Sequence, residues 1–142
     1  MNHIQAALGE GLTVEGALGI AFADWRRGGY IAHKLSMSSD GFSRAELMLL
    51  VASSAEVVRN KALQSEKPAE KIREIVFIYE KLFCLIRLVE TTTGSFLLLV
   101  LDSEKGNLSH ARLKLSQIFS KLKYLMTRSP LATKTSNAEP GT

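Results

Sequence analysis

Between Leu47 and Ala55 the chain carries no charged residue, and this run constrains the rest of the fold. It lies inside Ser43–Gln64, SRAELMLLVASSAEVVRNKALQ, where Ser43 and Glu46 stand at the S-x-x-E spacing of a capping box. Each side chain of such a box satisfies an N–H left over at a helix start, so the spacing predicts a helix beginning here. A helix with one wet side needs an apolar stripe of only about 100° or somewhat more. Leu47, Val51, Ala55 and Val58 make that stripe, Met48, Leu50 and Ser54 widen it, and charge returns only at Glu56, Arg59 and Lys61. A chain of 142 residues has little material to wrap a helix on all sides. The helix is therefore expected to pack on a sheet below and on another helix, its own copy included, above. Self-association is the first functional inference.

The length suits one domain with a single core. An apolar fraction of 46% beside 23% charged residues is an ordinary soluble composition. No apolar run reaches the 18 or more residues of a membrane helix; the longest, Phe96–Leu101, is strand-sized. The start MNHIQAALGEGL has neither the basic n-region nor the long apolar run of a signal peptide. The one cysteine, Cys84, cannot form an internal disulfide, and a reducing, cytoplasmic setting is expected. The formal net charge of +4 would suit nucleic acid or an anionic surface. Much of the excess falls late, in Arg112, Lys114, Lys121, Lys123, Arg128 and Lys134, and is assigned mostly to solvated faces.

Along the chain, Met1–Leu12 reads as a short amphipathic helix with Ile4, Leu8 and Leu12 at four-residue spacing, weakened at its end by Gly9 and Gly11. From Val14 the period changes to two. Leu18, Ile20 and Phe22 are expected on one face of a strand, with Ala17, Gly19, Ala21 and Ala23 on the other, small enough for a helix to approach. Asp24–Gly29 (DWRRGG) is a polar hairpin loop. The next strand, Tyr30–Leu35, alternates Ile31, His33 and Leu35 against Tyr30, Ala32 and Lys34.

After the central helix, Ser65–Pro68 acts as a stop, because proline cannot continue the hydrogen-bond ladder. Three β segments follow: Ile75–Tyr79, Leu82–Val89 after the brief link Glu80-Lys81, and Phe96–Leu101 after the turn Thr91–Ser95. The continuously apolar FLLLVL is expected to be covered on both faces, and short links imply antiparallel neighbours. Gly106-Asn107 can cap a last helix from Leu108 to about Met126, whose buried stripe is Leu108, Ala111, Leu115, Ile118, Leu122 and Leu125. Residues 1–126 form one domain on this reading, and 127–142, rich in Thr, Ser, Asn, Pro and Gly, form a disordered tail.

The order helix, two strands, helix, three strands, helix makes an α/β (α+β) sandwich with a five-stranded antiparallel sheet. It resembles the roadblock (dynein light chain) domain, a profilin-like fold. Val14–Asp24 (VEGALGIAFAD) is similar to that family's opening strand, Leu97–Leu101 to its apolar last strand, and Asn107-Leu108 with Arg112 to the entry of its final helix. The resemblance implies a dimer in which the middle helices pair and edge strands join two sheets into one. On this chain that carries over to Ser43–Gln64 and to Ile72–Tyr79, with Leu47, Leu50, Val51, Ser54, Val58, Ile75, Phe77 and Tyr79 as the expected interface. It further implies a non-enzymatic scaffold or regulator working with a Ras-like small GTPase or within a multiprotein complex.

The residues themselves offer no catalytic centre. No phosphate-binding glycine loop and no G-x-S-x-G elbow are present. His3, His33 and His110 have no metal-ligand spacing with one another or with Cys84, which lies in an apolar run and reads as a small buried hydrophobe. Neither metal nor cofactor is expected. Asp24 is assigned to turn amides. Trp25, Arg26 and Arg27 are the candidate partner contacts: an interface anchor flanked by arginines that either meet an acidic surface or reach a nucleotide. Trp25 could equally fold back over its hairpin. The alternative function is a basic nucleic-acid-binding module using the last helix and tail; a small-ligand sensor has only the apolar content behind it.

Overall fold

The computed structural model describes residues 2–26, 29–37, 41–64, 72–89 and 94–128. The elements are α1 (Asn2–Gly11), β1 (Ala17–Asp24), β2 (Gly29–Leu35), α2 (Arg44–Gln64), β3 (Glu74–Ile78), β4 (Leu82–Leu88), β5 (Ser95–Asp102) and α3 (Leu108–Arg128). The strands form one antiparallel sheet in the order β2-β1-β5-β4-β3. The fold is therefore α+β, with three helices and a five-stranded antiparallel sheet among the described residues. The last strand in sequence is the central one in space, because β5 pairs with β1 on one side and β4 on the other. The connection from β2 to β3 crosses the whole sheet, and α2 makes that crossing.

The continuous apolar run of β5 has the expected cause. Leu97, Leu99 and Leu101 pack among α1, α3 and the sheet, whereas Phe96, Leu98 and Val100 pack beneath α2; all six are fully buried. Burying a leucine stabilises by roughly 1.5–3 kcal/mol relative to exposure, so this strand anchors both cores.

The starts of α2 and α3 are set by their cap residues. At α2 the Ser43 N–H donates to Glu46 Oε1 at 3.1 Å and the Glu46 N–H donates to Ser43 Oγ at 3.2 Å, the reciprocal pair of a capping box. At α3 Asn107 Oδ1 accepts from the His110 N–H at 2.9 Å. The stripe Ala111, Leu115, Ile118 and Leu122 is buried against the sheet and α1. The helix runs to Arg128, two residues past the boundary expected at Met126, and residues 129–142 lie outside the described residues. The expected stop at 65–68 and the turn residues 91–93 lie outside them as well.

Two sequence assignments change face, and a bulge explains each. In β1 the register to β5 shifts between Ala17 and Gly19, leaving Leu18 as an extra residue. Leu18 therefore joins the α2 side with Ala21 and Ala23, and Ala17 joins Ile20 and Phe22 on the α1/α3 side. In β2 Ala32 pairs Phe22 and Tyr30 pairs Ala23, so Ile31 is the extra residue. Tyr30 is thereby turned to the same side as His33, with their rings 5.1 Å apart and edge-on. A bulge leaves one residue unpaired and resets the alternation beyond it. The small face of β1 does admit a helix. A Cβ at Gly19 would stand 3.1 Å from Phe42 and 3.5 Å from Leu47.

Candidate functional site

α2 covers one face of the sheet with Leu47, Val51, Ala55 and Val58, all buried. Leu49 lies two residues, about 200°, around the helix from Leu47. It is 70% exposed, and Ala52 and Ser53 on the same crest are exposed too. The charge-free run thus has two sides. Its inner stripe is covered by the chain's own sheet, and its outer crest is bare from Leu49 to Ser53.

This changes which residues can meet a second copy. Of the α2 residues expected at the interface, Leu47, Val51, Ser54 and Val58 are buried within the single chain, and Leu50 stays partly open. The residues turned outward are Leu49, Ala52 and Ser53, which the sequence reading passed over. The signal was present. Once Leu47, Val51, Ala55 and Val58 are taken as the inner stripe, helical geometry puts Leu49 opposite them.

β3 is an edge strand, and its ladder to β4 runs without interruption from Glu74↔Arg87 to Ile78↔Phe83. Ile75 and Phe77 are half-buried on the α2 side, next to β4. Ile72, Ile78 and Tyr79 are exposed, Ile78 at 72%. The Tyr79 N–H donates to Leu82 O at 2.8 Å, closing the Glu80-Lys81 turn, and the Ser103 side chain and N–H both bond that turn's carbonyls at 3.0 Å. The other edge, β2, carries the bulge at Ile31. Bulged edges resist further pairing and straight ones invite it. Among the described residues β3 is thus the edge without a bulge.

The hairpin cluster is held inward. The Trp25 N–H donates to Gly94 O at 2.9 Å, and Trp25 O accepts from Arg59 Nε at 3.0 Å. Its half-buried ring packs against the α2-side core, so Trp25 folds back over the hairpin. The Arg26 guanidinium lies 5.4 Å from the Trp25 ring centroid, and its stem covers Gly94. Asp24 Oδ1 accepts from the Arg26 N–H at 2.8 Å, as a turn carboxylate does. Arg26 is exposed; Arg27 lies outside the described residues.

Of the titratable groups, burial pushes the Cys84 thiol up to about 11, so it remains a protonated core residue at neutral pH. His33 is held below its ordinary value of 6.5, first by burial and then by the Arg44 guanidinium, which donates to Tyr30 Oη at 2.8 Å. A lowered value means that the unfolded chain takes up the His33 proton first. This contribution to stability is full above pH 6.5 and is lost as pH falls through and below it. Thermal unfolding from pH 8 to pH 5 is expected to show that loss, and His33→Gln should flatten it; an unchanged pH profile in the variant would remove His33 as its source. Among the described residues no group of three His, Cys, Asp or Glu could hold a metal ion, and no helix is long and apolar enough to cross a membrane.

No family model and no curated protein matches this sequence. Solved structures do match its fold. The gliding protein MglB from Thermus thermophilus superposes with a TM-score of 0.75 over 90% of this chain and 91% of that one, at 19% identity. An MglB structure with a tetrameric arrangement gives 0.70 over 87% and 88%, at 20% identity. A Roadblock/LC7 domain from Streptomyces avermitilis gives 0.65 over 83% and 92%, at 12% identity. At such identities the likeness is one of backbone architecture rather than of surface chemistry, and it is shared along nearly the whole of each chain: this protein has the roadblock-like fold.

Proposed function

We propose that the chain is a non-enzymatic, dimeric interaction domain that scaffolds or regulates a Ras-like small GTPase. The observation that carries this reading is the bare, charge-free crest of α2, Leu49 to Ser53, and the bulge-free edge strand β3 with Ile78 exposed adds to it. Ala52 and Ser53 are small enough to let a second helix approach closely, and Leu49 supplies a knob to bury. Two such faces related by a two-fold axis cover each other, and the two β3 strands then extend one sheet into the next. The roadblock-like fold supports the reading, as does the tetrameric arrangement of an MglB structure, which is a self-assembly of that protein.

The mechanism is geometric. A rigid pair presents a composite surface that fits one conformation of its partner better than another, and this difference in affinity shifts the partner's equilibrium. Arg26, exposed and stacked on Trp25, then serves as a side contact for an acidic partner. The test is calorimetry against Ras-like GTPases of the same organism, each loaded with GDP or with a non-hydrolysable GTP analogue. The expected result is a preference of about tenfold or more for one nucleotide state. Equal affinity for the two states would sink the regulatory part and leave only a scaffold.

A further inference from the structure

Among the described residues, excess positive charge gathers on one side of the sheet. From Leu108 to Arg128, α3 holds Arg112, Lys114, Lys121, Lys123 and Arg128 and no acidic residue. α1 adds a single acid, Glu10, so the two helices together carry +4, the formal net charge of the whole chain. On the opposite face α2 is nearly balanced, with Arg44, Arg59 and Lys61 against Glu46 and Glu56.

The pattern within α3 is more specific than its charge. Opposite the buried stripe, at about 100° per residue, Leu113, Gln117, Ser120 and Tyr124 fall within a narrow arc. That crest is exposed and uncharged, with Leu113 at 59% and Tyr124 at 56%. The same spacing sets Arg112 and Lys123 along one flank, and Lys114 and Lys121 along the other. Two of these four are fixed to neighbouring elements: Arg112 Nε meets Glu74 Oε2 at 2.9 Å, and Lys121 meets Glu10. Lys123 lies 6.0 Å from the Phe119 ring, which Arg87 approaches at 5.0 Å. Among the described residues neither Lys114 nor Lys123 pairs with a carboxylate.

We infer that the α3 face docks on an anionic lipid surface. An exposed leucine and tyrosine on an uncharged crest between cationic flanks are side chains suited to a membrane interface, where a leucine enters the headgroup boundary and a tyrosine sits at its polar edge. The flanking cations meet lipid phosphates. α3 lies flat on the sheet beside α1 and does not project, which suits a plane. Entry into a nucleic-acid major groove about 12 Å wide needs a protruding helix. The inference is independent of the dimer and GTPase reading, because the face lies across the sheet from α2.

The test is co-sedimentation of the full chain with vesicles of pure phosphatidylcholine or of phosphatidylcholine mixed with phosphatidylserine, over a salt series. Binding is expected only to the anionic vesicles. Each basic side chain near such a surface contributes about fivefold in affinity. Lys114→Gln with Lys123→Gln should therefore weaken binding by on the order of twenty-fold, and Leu113→Gln should weaken it further while unfolding temperature stays constant. Equal sedimentation with neutral vesicles, or none with anionic ones, would overturn the inference. So would binding to duplex DNA of random sequence at equal strength that ignores Leu113→Gln, since that pattern belongs to a phosphate-binding patch without insertion. None of these outcomes touches the solution mass or the nucleotide-dependent binding on which the dimeric GTPase reading stands.

Discussion

Replacing Leu49 with lysine is expected to convert a particle of about twice 15.6 kDa into one of 15.6 kDa without unfolding it. Leu49 is 70% exposed in the single chain, so the fold does not depend on burying it. In an isologous pair the substitution occurs twice. Each leucine withdrawn from the interface forfeits roughly 1.5–3 kcal/mol of burial, and two lysines then face each other in a desolvated contact. A combined loss of about 3–6 kcal/mol raises the dissociation constant by on the order of 10²- to 10⁴-fold. Light scattering across a dilution series reads this directly.

The β3 edge is tested by Ile78→Pro. Tyr79 donates its N–H inward to Leu82, and Arg73 accepts from the Leu88 N–H at 3.0 Å, so the alternate N–H groups, at 74, 76 and 78, point away from β4. Proline at 78 removes an outward donor and leaves the internal ladder intact. Dissociation by both variants fits a joint helix and strand interface. If wild type is monomeric at every concentration, the dimer reading fails, and the bare crest of α2 needs a different partner.

The second large effect is expected at Gly16, and it reads out as stability. Gly16 has φ of +83°, where any other residue is strained, and a Cβ there would stand 2.6 Å from the backbone nitrogen of Gly106. Gly106 is equally confined, since its own Cβ would lie 2.5 Å from Asp102 O. The Asp102 N–H donates to Gly16 O at 2.8 Å, which ties the entrance of β1 to the exit of β5. Because the obstructing atoms are backbone, they cannot rotate aside. Gly16→Ala should cost about 3 kcal/mol or more, the sum of strain and a forced backbone shift. That corresponds to a drop in melting temperature of roughly 10 °C at fixed protein concentration.

Two other glycines separate the causes. Gly41 has φ of +84° but open space around it, so Gly41→Ala should show the strain alone, about 1 kcal/mol. Gly29 has neither a positive φ nor a neighbour within 4 Å, and Gly29→Ala should be close to neutral. Equal losses at positions 16 and 41 would refute the clash with Gly106.

What the sequence determined by itself is what short-range periodicity and capping chemistry encode. The Ser43/Glu46 box and the Asn107 cap set the helix starts. The unbroken apolar run of β5 required cover on both faces, and the α3 stripe named its buried side chains. Those signals depend on residues a few positions apart, so they can be read locally. The missing charge in α2 announced an outer surface, but four of the residues expected there, Leu47, Val51, Ser54 and Val58, are buried, because their burial depends on the sheet beneath them.

The tertiary structure alone decided the rest. The faces of Leu18 and Tyr30 follow from bulges, one extra residue in β1 against β5 and one in β2 against β1, and no period within one strand reveals them. Trp25 is drawn inward by Gly94 and Arg59, which are distant in sequence. β3 is an edge because its one partner, β4, pairs on its other side with β5, which in turn carries the sheet on to β1. Alternation fixes which way a side chain points relative to its neighbours. Which surface it then meets, and which edge stays open to a partner, is set by long-range pairing in space.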